Sequence, residues 1–243
     1  MIKLLRRIHL LYTLVCILFF FILFLPFYYW FTRSPKYYSI LNKLRTAHSF
    51  ISSALAGIYF RFEFESKLNK HQTYIYCANH TSNLDIIILC LLGNSRYHFM
   101  GKEELTKNPV LGIFFKTIDV AVSRESKISA FRAFKKVGDN LESGMSLIIF
   151  PEGKIDDVYP PVLQDFKSGP FRLAIEKNIP IVPVSIKNVW KIMWDDGTKY
   201  GTRPGIVDVY VHEPILTSIL AVENDEVLKN EVYNRINSKL YDK

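Results

Sequence analysis

A histidine and an aspartate in the first half of the sequence have the residue types and the spacing that proton transfer requires. His80 and Asp85 enclose four residues in the segment Asn79-His-Thr-Ser-Asn-Leu-Asp85. A carboxylate that accepts a hydrogen bond from one ring nitrogen of a histidine fixes its tautomer, and it stabilises the imidazolium that forms when the other nitrogen takes a proton. The spacing predicts a general base oriented by a carboxylate. Asp85 also has a structural interpretation, as an acidic residue in the first turn of a helix.

The elements that must position this pair alternate between strands and helices. A clean alternation of apolar and polar residues predicts a strand over 59–65. Further strands are predicted over 73–78, 97–100, 119–122, 147–150, 181–185 and 207–211, and helices over 84–92, 126–143, 171–177 and 225–240. This pattern predicts an α/β domain with a largely parallel sheet flanked by helices. Functional groups in such sheets gather beyond the carboxyl ends of the strands.

The N-terminal segment predicts a membrane helix. Residues 8–32 contain no Asp, Glu, Lys or Arg, and this length is enough to cross the hydrocarbon core. Large aromatic residues stand where small residues would mark signal-peptide cleavage, so we expect the segment to be retained. Pro26 leaves a spanning helix and a re-entrant hairpin both open.

A second helix is predicted over 37–58, with apolar residues at helical spacing. Its polar residues, Asn42, Lys43, Thr46, Ser49 and Ser53, fall on the other side. It is expected either to lie in the membrane interface or to pack on the domain. We therefore divide the chain into a membrane-anchoring helical segment, 1–58, and a catalytic domain, 59–243.

Composition narrows the classes of partner. The chain carries 31 Lys and Arg against 23 Asp and Glu, a net charge of +8, which favours an anionic partner. The basic residues are scattered without a recognition motif, so we expect no nucleic acid. The three cysteines form no CxxC pair and are expected to be buried free thiols. No metal-ligand spacing is present, and we expect neither a metal nor a bound cofactor.

Four segments in order resemble the glycerolipid acyltransferase family, typified by 1-acylglycerol-3-phosphate acyltransferases. They are the Asn-His-x4-Asp segment 79–85, the run 119–124 that ends in Arg, the Phe-Pro-Glu-Gly segment 150–153 and the apolar run 179–184 with two prolines. The resemblance covers a little under half of the chain, and the first and third segments are the specific ones.

The resemblance implies roles for individual residues. His80 is expected to be the catalytic base and Asp85 the catalytic residue that orients it. The residues expected to bind the substrate are Lys102, Arg124, Glu152, Gly153 and Lys154. Arg124 is expected on the acceptor's phosphate, because a guanidinium offers a planar fork to phosphate oxygens.

Two departures from the family pattern affect the acceptor. The third segment commonly continues Gly-Thr-Arg, whereas here Lys154 and Ile155 follow the glycine. Lysine is not equivalent to arginine at a site that binds phosphate with two hydrogen bonds. The second segment often has Ile-Asp directly before its arginine, whereas Ile118 and Asp119 stand further upstream of Arg124. A lyso-aminoacyl lipid is therefore an alternative acceptor.

The expected function is transfer of a fatty acyl group from acyl-CoA or acyl carrier protein to the sn-2 hydroxyl of 1-acylglycerol-3-phosphate, giving phosphatidate. Backbone amides at the helix start after His80 are expected to stabilise the oxyanion. The protein is expected at the cell membrane, with its catalytic domain facing the cytoplasm, because the acyl donors are made there. A membrane-bound acyl thioesterase and a catalytically inactive membrane adaptor are the competing classes.

Overall fold

The computed structural model describes residues 1–123, 126–218 and 222–240. The strands in these ranges are β1 Ile58–Phe64, β2 Ile75–Ala78, β3 Tyr97–Lys102, β4 Val120–Val122, β5 Ser146–Ile149, β6 Ile181–Ile186 and β7 Gly205–Val211. The α-helices are α1 Ile2–Phe31, α2 Tyr38–Leu55, α3 Leu84–Leu92, α4 Gly112–Phe115, α5 Lys127–Glu142, α6 Gly169–Glu176, α7 Val189–Ile192 and α8 Asp225–Leu240. Short 3-10 turns lie at Pro35–Tyr37, Glu103–Lys107 and Val222–Asn224.

One mixed sheet forms the centre of the molecule, with the strand order β1-β7-β6-β2-β5-β3-β4. Strands β2 to β6 are parallel to one another. Strand β7 runs antiparallel to β6, and β1 is parallel to β7. The predicted α/β class with a largely parallel sheet is confirmed. The carboxyl ends of β2, β5, β3 and β4 therefore meet along one edge of the sheet.

Two apolar layers cover the faces of this sheet. Alternate residues of a strand point to opposite faces, so Tyr76 packs with α3 and Cys77 with the helices on the other face. Helix α3 supplies Leu84, Ile88 and Leu89 to the first layer. Helices α5, α6 and α8 supply the second, with Val137, Leu141, Phe171, Leu228, Val232 and Ile236 among the buried residues. Helices α1, α2 and α3 thus lie on the face opposite α5.

Helix α1 is continuous through Pro26, so the alternative of a re-entrant hairpin broken at this proline is wrong. It is the only helix of the described ranges long and apolar enough to cross a membrane. Its first half contacts the body through His9, whose Nε2 lies 2.9 Å from the carbonyl oxygen of Ala56. Its second half contacts α2 through Tyr28, whose hydroxyl lies 3.0 Å from His48 Nδ1.

Helix α2 packs on the body with its polar side. Asn42 Nδ2 donates to the carbonyl of Tyr97 at 2.8 Å, and Thr46 Oγ1 donates to the carbonyl of Cys90 at 2.8 Å. Arg45, only 4% exposed, forms an ion pair of 2.9 Å with the buried carboxylate of Asp119. The apolar side chains left outside are Ile40, Phe50 and Leu55. The helix therefore packs on the domain and still presents apolar residues outward.

Candidate active site

The carboxyl end of β2 places His80 beside the first turn of α3. His80 Nδ1 lies 2.9 Å from Asp85 Oδ2. The carboxylate of Asp85 is fully buried, whereas the side chain of His80 is 16% exposed. Because a carboxylate accepts and does not donate, the hydrogen-bond pattern assigns the proton to Nδ1 and the free lone pair to Nε2. Nε2 is therefore the nitrogen that can take a proton from a substrate.

Backbone amides fix the carboxylate of Asp85. Its Oδ2 also accepts from the amides of Thr81 at 2.8 Å and Ser82 at 2.9 Å. The amide of Asn83 donates to the carbonyl of Asp195, and that of Leu84 donates to Ser82 Oγ. These four amides are thus bonded within the protein, and the oxyanion role expected of amides at this helix start stays a prediction.

Phe150, directly after β5, supports the face of the imidazole. The rings of His80 and Phe150 are stacked, with centroids 3.9 Å apart and planes at 10°. Strand β5 is the neighbour of β2 in the sheet, which brings these two strand ends together. The stack fixes the plane of the imidazole, while the hydrogen bond to Asp85 fixes the rotation of the ring within that plane.

The carboxylate of Glu152 also holds the histidine. Its Oε1 accepts from the backbone amide of His80 at 2.7 Å, and its Oε2 accepts from that of Gln164 at 2.8 Å. Burial raises the pKa of Glu152 to about 7, although the two amide hydrogen bonds act in the opposite direction. Glu152 is 6% exposed, so both of its oxygens face the protein. It connects the His80 turn to the loop after β5.

Two further contacts secure the turn that carries His80. The side chain of Asn79 continues the sheet ladder, since its Oδ1 accepts from the amide of Ile186 and its Nδ2 donates to that residue's carbonyl. Asp195 lies on the other side, where its amide donates to the carbonyl of Thr81 at 3.0 Å. Asp195 has a positive φ of 51°. Burial and the neighbouring Asp196 raise the pKa of Asp195.

The predicted substrate-binding residues that the structure describes lie along the same edge of the sheet. Lys102 ends β3 and is exposed, and its charge lowers the pKa of Asp195. Lys154 is 58% exposed and lies 3.5 Å from Asp156. Gly153 has a φ of 80°, a conformation that favours glycine. Arg124 lies outside the described residues. Lys102 thus ends β3, while Gly153 and Lys154 lie in the loop after β5, at the same edge of the sheet.

The predicted site residues do not include Phe150, Asn79, Asp195 or Gln164. Phe150 and Asn79 stand inside the motif segments, and this position is the signal by which the sequence could have identified them. Gln164 and Asp195 are distant in sequence, and no signal in their surroundings points to His80. Within the described ranges, no group of three or more His, Cys, Asp or Glu side chains could hold a metal ion.

Comparison with known proteins gives a family match over the same region. Residues 60–187, which begin within β1 and extend just past β6, match the sequence model of a family described as Acyltransferase. The match includes every predicted site residue, and it excludes α1 and α2.

Similar proteins carry related names. An acyltransferase of Schizosaccharomyces pombe is 26% identical over 207 residues, which cover 84% of this chain and 74% of that protein. A chloroplast 1-acyl-sn-glycerol-3-phosphate acyltransferase of Brassica napus is 31% identical over 67% of this chain and 46% of its own length. The enzyme of that name from Haemophilus influenzae is 29% identical over 51% of this chain and 53% of its own length. The aligned region thus spans about half the length of these two.

A solved structure has the same fold. The 1-acyl-sn-glycerophosphate acyltransferase of Thermotoga maritima superposes with a TM-score of 0.81 over 99% of this chain and 96% of that one, at 21% identity. The similarity therefore includes the N-terminal helices α1 and α2 as well as the sheet.

Proposed function

Because the chain belongs to the acyltransferase family, we propose that it transfers a fatty acyl group from a thioester donor to the sn-2 hydroxyl of 1-acylglycerol-3-phosphate. The observation that carries this proposal is the imidazole of His80, held by Asp85 with Nε2 left for the substrate. The names of the Brassica napus and Haemophilus influenzae relatives support this acceptor. The reaction needs no bound cofactor, because the donor arrives already activated as a thioester.

In the proposed mechanism, His80 acts first as a base and then as an acid. Nε2 takes the proton of the acceptor hydroxyl while that oxygen attacks the thioester carbonyl. The tetrahedral intermediate collapses, the carbon–sulfur bond breaks, and the imidazolium returns its proton to the departing thiolate. The products are the ester and the free thiol. Asp85 stabilises the imidazolium between the two steps, as its counterpart does in serine hydrolases.

We assign Phe150 and Glu152 to positioning rather than to acceptor binding. Phe150 presents its ring face to the imidazole, and Glu152 uses both carboxylate oxygens on backbone amides. A carboxylate in the acceptor pocket would also repel the phosphate of the acceptor. The acceptor-binding role that the family resemblance implies for Glu152 is therefore replaced in this proposal.

Cationic side chains remain the proposed site for the acceptor's phosphate. Lys102 lies at the carboxyl end of β3 and Lys154 in the loop after β5, and Arg124 is included on the family resemblance alone. Lys154 has an acidic neighbour, Asp156, at 3.5 Å, which reduces its attraction for an anion. That contact favours a lysolipid without phosphate, such as a lyso-aminoacyl lipid, as the second candidate acceptor.

We propose that the enzyme acts at the cell membrane, with the catalytic domain on the cytoplasmic side. Helix α1 contacts the body at Arg6, whose carbonyl accepts from Thr202, and again at Tyr28. These points are 22 residues, or about 33 Å, apart along the helix. A helix that crosses the membrane along its normal would contact the rest of the protein only at one end. Helix α1 instead contacts the rest of the protein at both of these points. We therefore place α1 and α2 within one leaflet, with their apolar outer sides in lipid.

A lysolipid panel tests the proposal. The full-length protein in detergent is offered 1-acylglycerol-3-phosphate, lysophosphatidylcholine and a lyso-aminoacyl lipid, each with palmitoyl-CoA and with palmitoyl-acyl carrier protein. Product formation only with the phosphate-bearing acceptor is expected. Preference for the aminoacyl lipid would replace the acceptor, and release of free palmitate at the same rate without any lysolipid would identify a thioesterase.

A further inference from the structure

Helix α5 carries an exposed surface that the proposed acyl transfer does not use. We call Ile128, Phe131, Arg132, Lys135 and Lys136 the α5 surface. Ile128 is 66% and Phe131 is 72% exposed. Residues three and four apart lie on one side of a helix, so these five form a continuous surface. Large exposed apolar side chains grouped with cations indicate an interaction site rather than an ordinary solvated helix.

Within residues 1–123, 126–218 and 222–240, the cations of the α5 surface have no acidic partner that would offset their attraction for another protein. No ion pair of Arg132, Lys135 or Lys136 is present within the described part of the chain. The acidic residues of α5 come later, at Asp139 and Glu142, and Glu142 is already paired with Lys177. The first three turns of the helix are therefore positive and have an apolar centre.

The position of α5 argues against the membrane as its partner. Helix α5 packs on one face of the sheet through Val137 and Leu141, whereas α3 packs on the other. Helices α1 and α2 lie on the α3 side, since Thr46 of α2 donates to the carbonyl of Cys90 in α3. When α1 and α2 are in the bilayer, the α5 surface points away from it. Its partner is therefore soluble.

A cleft connects the α5 surface with the catalytic edge of the sheet. It has a volume of about 720 Å³, and Glu103, Ala121, Ser126, Arg132 and Lys136 are among its lining residues. Ala121 is the middle residue of the short strand β4, and Glu103 directly follows the carboxyl end of β3. Strand β4 is three strand spacings from β2 in the sheet, or about 14 Å at the usual separation. An extended pantetheine arm that entered here would bring its thioester toward His80.

We propose that the α5 surface docks an acidic acyl carrier protein, whose pantetheine arm delivers the acyl thioester to His80. This inference rests on the proposed function and specifies its donor. The three cations of the α5 surface would attract an acidic carrier protein through electrostatic complementarity. The exposed aromatic and aliphatic side chains match the apolar centre of a protein interface, which coenzyme A, a small polar donor, does not require.

The test compares the two donors on full-length variants in detergent, with 1-oleoylglycerol-3-phosphate as acceptor. Phe131→Ser and Lys135→Glu alter the α5 surface outside the cleft. We expect each to lower kcat/KM for palmitoyl-acyl carrier protein about tenfold, because docking is weakened, and to leave kcat/KM for palmitoyl-CoA within about twofold. Unchanged turnover of palmitoyl-CoA also shows that the variants are folded.

Matched controls alter exposed residues elsewhere. Lys70→Glu reverses the same charge in the loop before β2, at the opposite edge of the sheet, and Val227→Ser removes an exposed apolar side chain from α8. Both are expected to use the two donors as the wild-type protein does. Equal losses with both donors in the α5 variants, or a wild-type protein that uses palmitoyl-CoA and not palmitoyl-acyl carrier protein, would overturn the inference.

A binding measurement separates this inference from the proposed reaction. Immobilised wild-type protein is expected to bind purified palmitoyl-acyl carrier protein, with an affinity that falls as ionic strength rises. Phe131→Ser and Lys135→Glu are expected to lose that binding. Binding by the wild-type protein without turnover of any lysolipid would refute the reaction and retain the docking surface, whereas turnover without α5-dependent binding would do the reverse.

Discussion

The imidazole of His80 lies flat on the phenyl ring of Phe150, with the ring centroids 3.9 Å apart. The stack fixes the plane of the imidazole, and the hydrogen bond to Asp85 fixes its rotation within that plane. The backbone under the ring is fixed in turn by Glu152. Nε2 therefore has one direction before any substrate binds, as expected for a preorganised base.

Replacing Phe150 with leucine tests the stack. Phe150→Leu keeps an apolar side chain but removes the flat surface under the imidazole. We expect kcat to fall about tenfold with little change in KM for the acceptor, since a misdirected base slows the reaction without weakening binding. Steady-state kinetics of the wild-type, Phe150→Leu and Phe150→Tyr proteins measure this. The tyrosine variant keeps the ring and should retain activity; equal losses in both variants would assign the effect to packing.

Replacing Asp85 with asparagine tests the charge behind the imidazole. Asp85→Asn keeps the shape but cannot stabilise the imidazolium, and its amide group favours the wrong tautomer. By analogy with serine hydrolases we expect kcat to fall about 10³-fold or more. His80→Ala should cost at least as much, and the double variant no more than His80→Ala alone, because the two residues act as a unit. Additive losses would contradict that coupling.

Replacing Glu152 with glutamine separates positioning from acceptor binding. The side chain of Glu152→Gln has one acceptor oxygen, so its amide group must face one of the two N–H donors of His80 and Gln164. We expect kcat to fall about tenfold while KM for the proposed acceptor, 1-acylglycerol-3-phosphate, stays within about twofold. A raised KM with an unchanged kcat would return Glu152 to the acceptor pocket.

Most helices and strands were predictable because the spacing of apolar residues that indicates them is local in the sequence. The C-terminal helix α8 has the predicted bounds 225–240, and α3 has the predicted bounds 84–92. Helices α4 and α7 were not predicted, because a single turn of four residues carries no periodicity. The antiparallel direction of β7 also has no local signal, since alternation along a strand is the same in both directions.

The site was predictable only where its contacts are short in sequence. The contact between His80 and Asp85 spans five residues, and a strand end followed by a helix start constrains it. The contacts of His80 with Phe150 and Glu152 span about seventy residues and depend on which strands become neighbours in the sheet. Sequence spacing contains nothing about that order, so Phe150 received no predicted role, and Glu152 received the substrate-binding role that the resemblance implies rather than a contact with His80.

Breaking the buried ion pair between Arg45 and Asp119 tests how α2 is attached to the sheet. Arg45 is 4% exposed and Asp119 fully buried, with two hydrogen bonds between them. Arg45→Leu leaves a buried carboxylate without its partner, so we expect the free energy of unfolding to fall by about 3–5 kcal/mol. Denaturation in detergent measures this. Arg45→Leu combined with Asp119→Asn should recover part of the loss, and no recovery would show that the pair is not the cause.

The pKa of Glu152 predicts how stability depends on pH. Burial raises this pKa from 4.5 to about 7, so the folded protein binds a proton that the unfolded chain has lost between these values. The resulting stabilisation is complete below about pH 4.5 and is lost as the pH rises through about 7, a change on the order of 3 kcal/mol. Thermal unfolding of the wild-type and Glu152→Gln proteins at a series of pH values measures it. Glutamine does not titrate, so the melting temperature of the wild-type protein relative to the variant should decrease over this range and level off above it. A difference independent of pH would show that Glu152 stays ionised throughout the range.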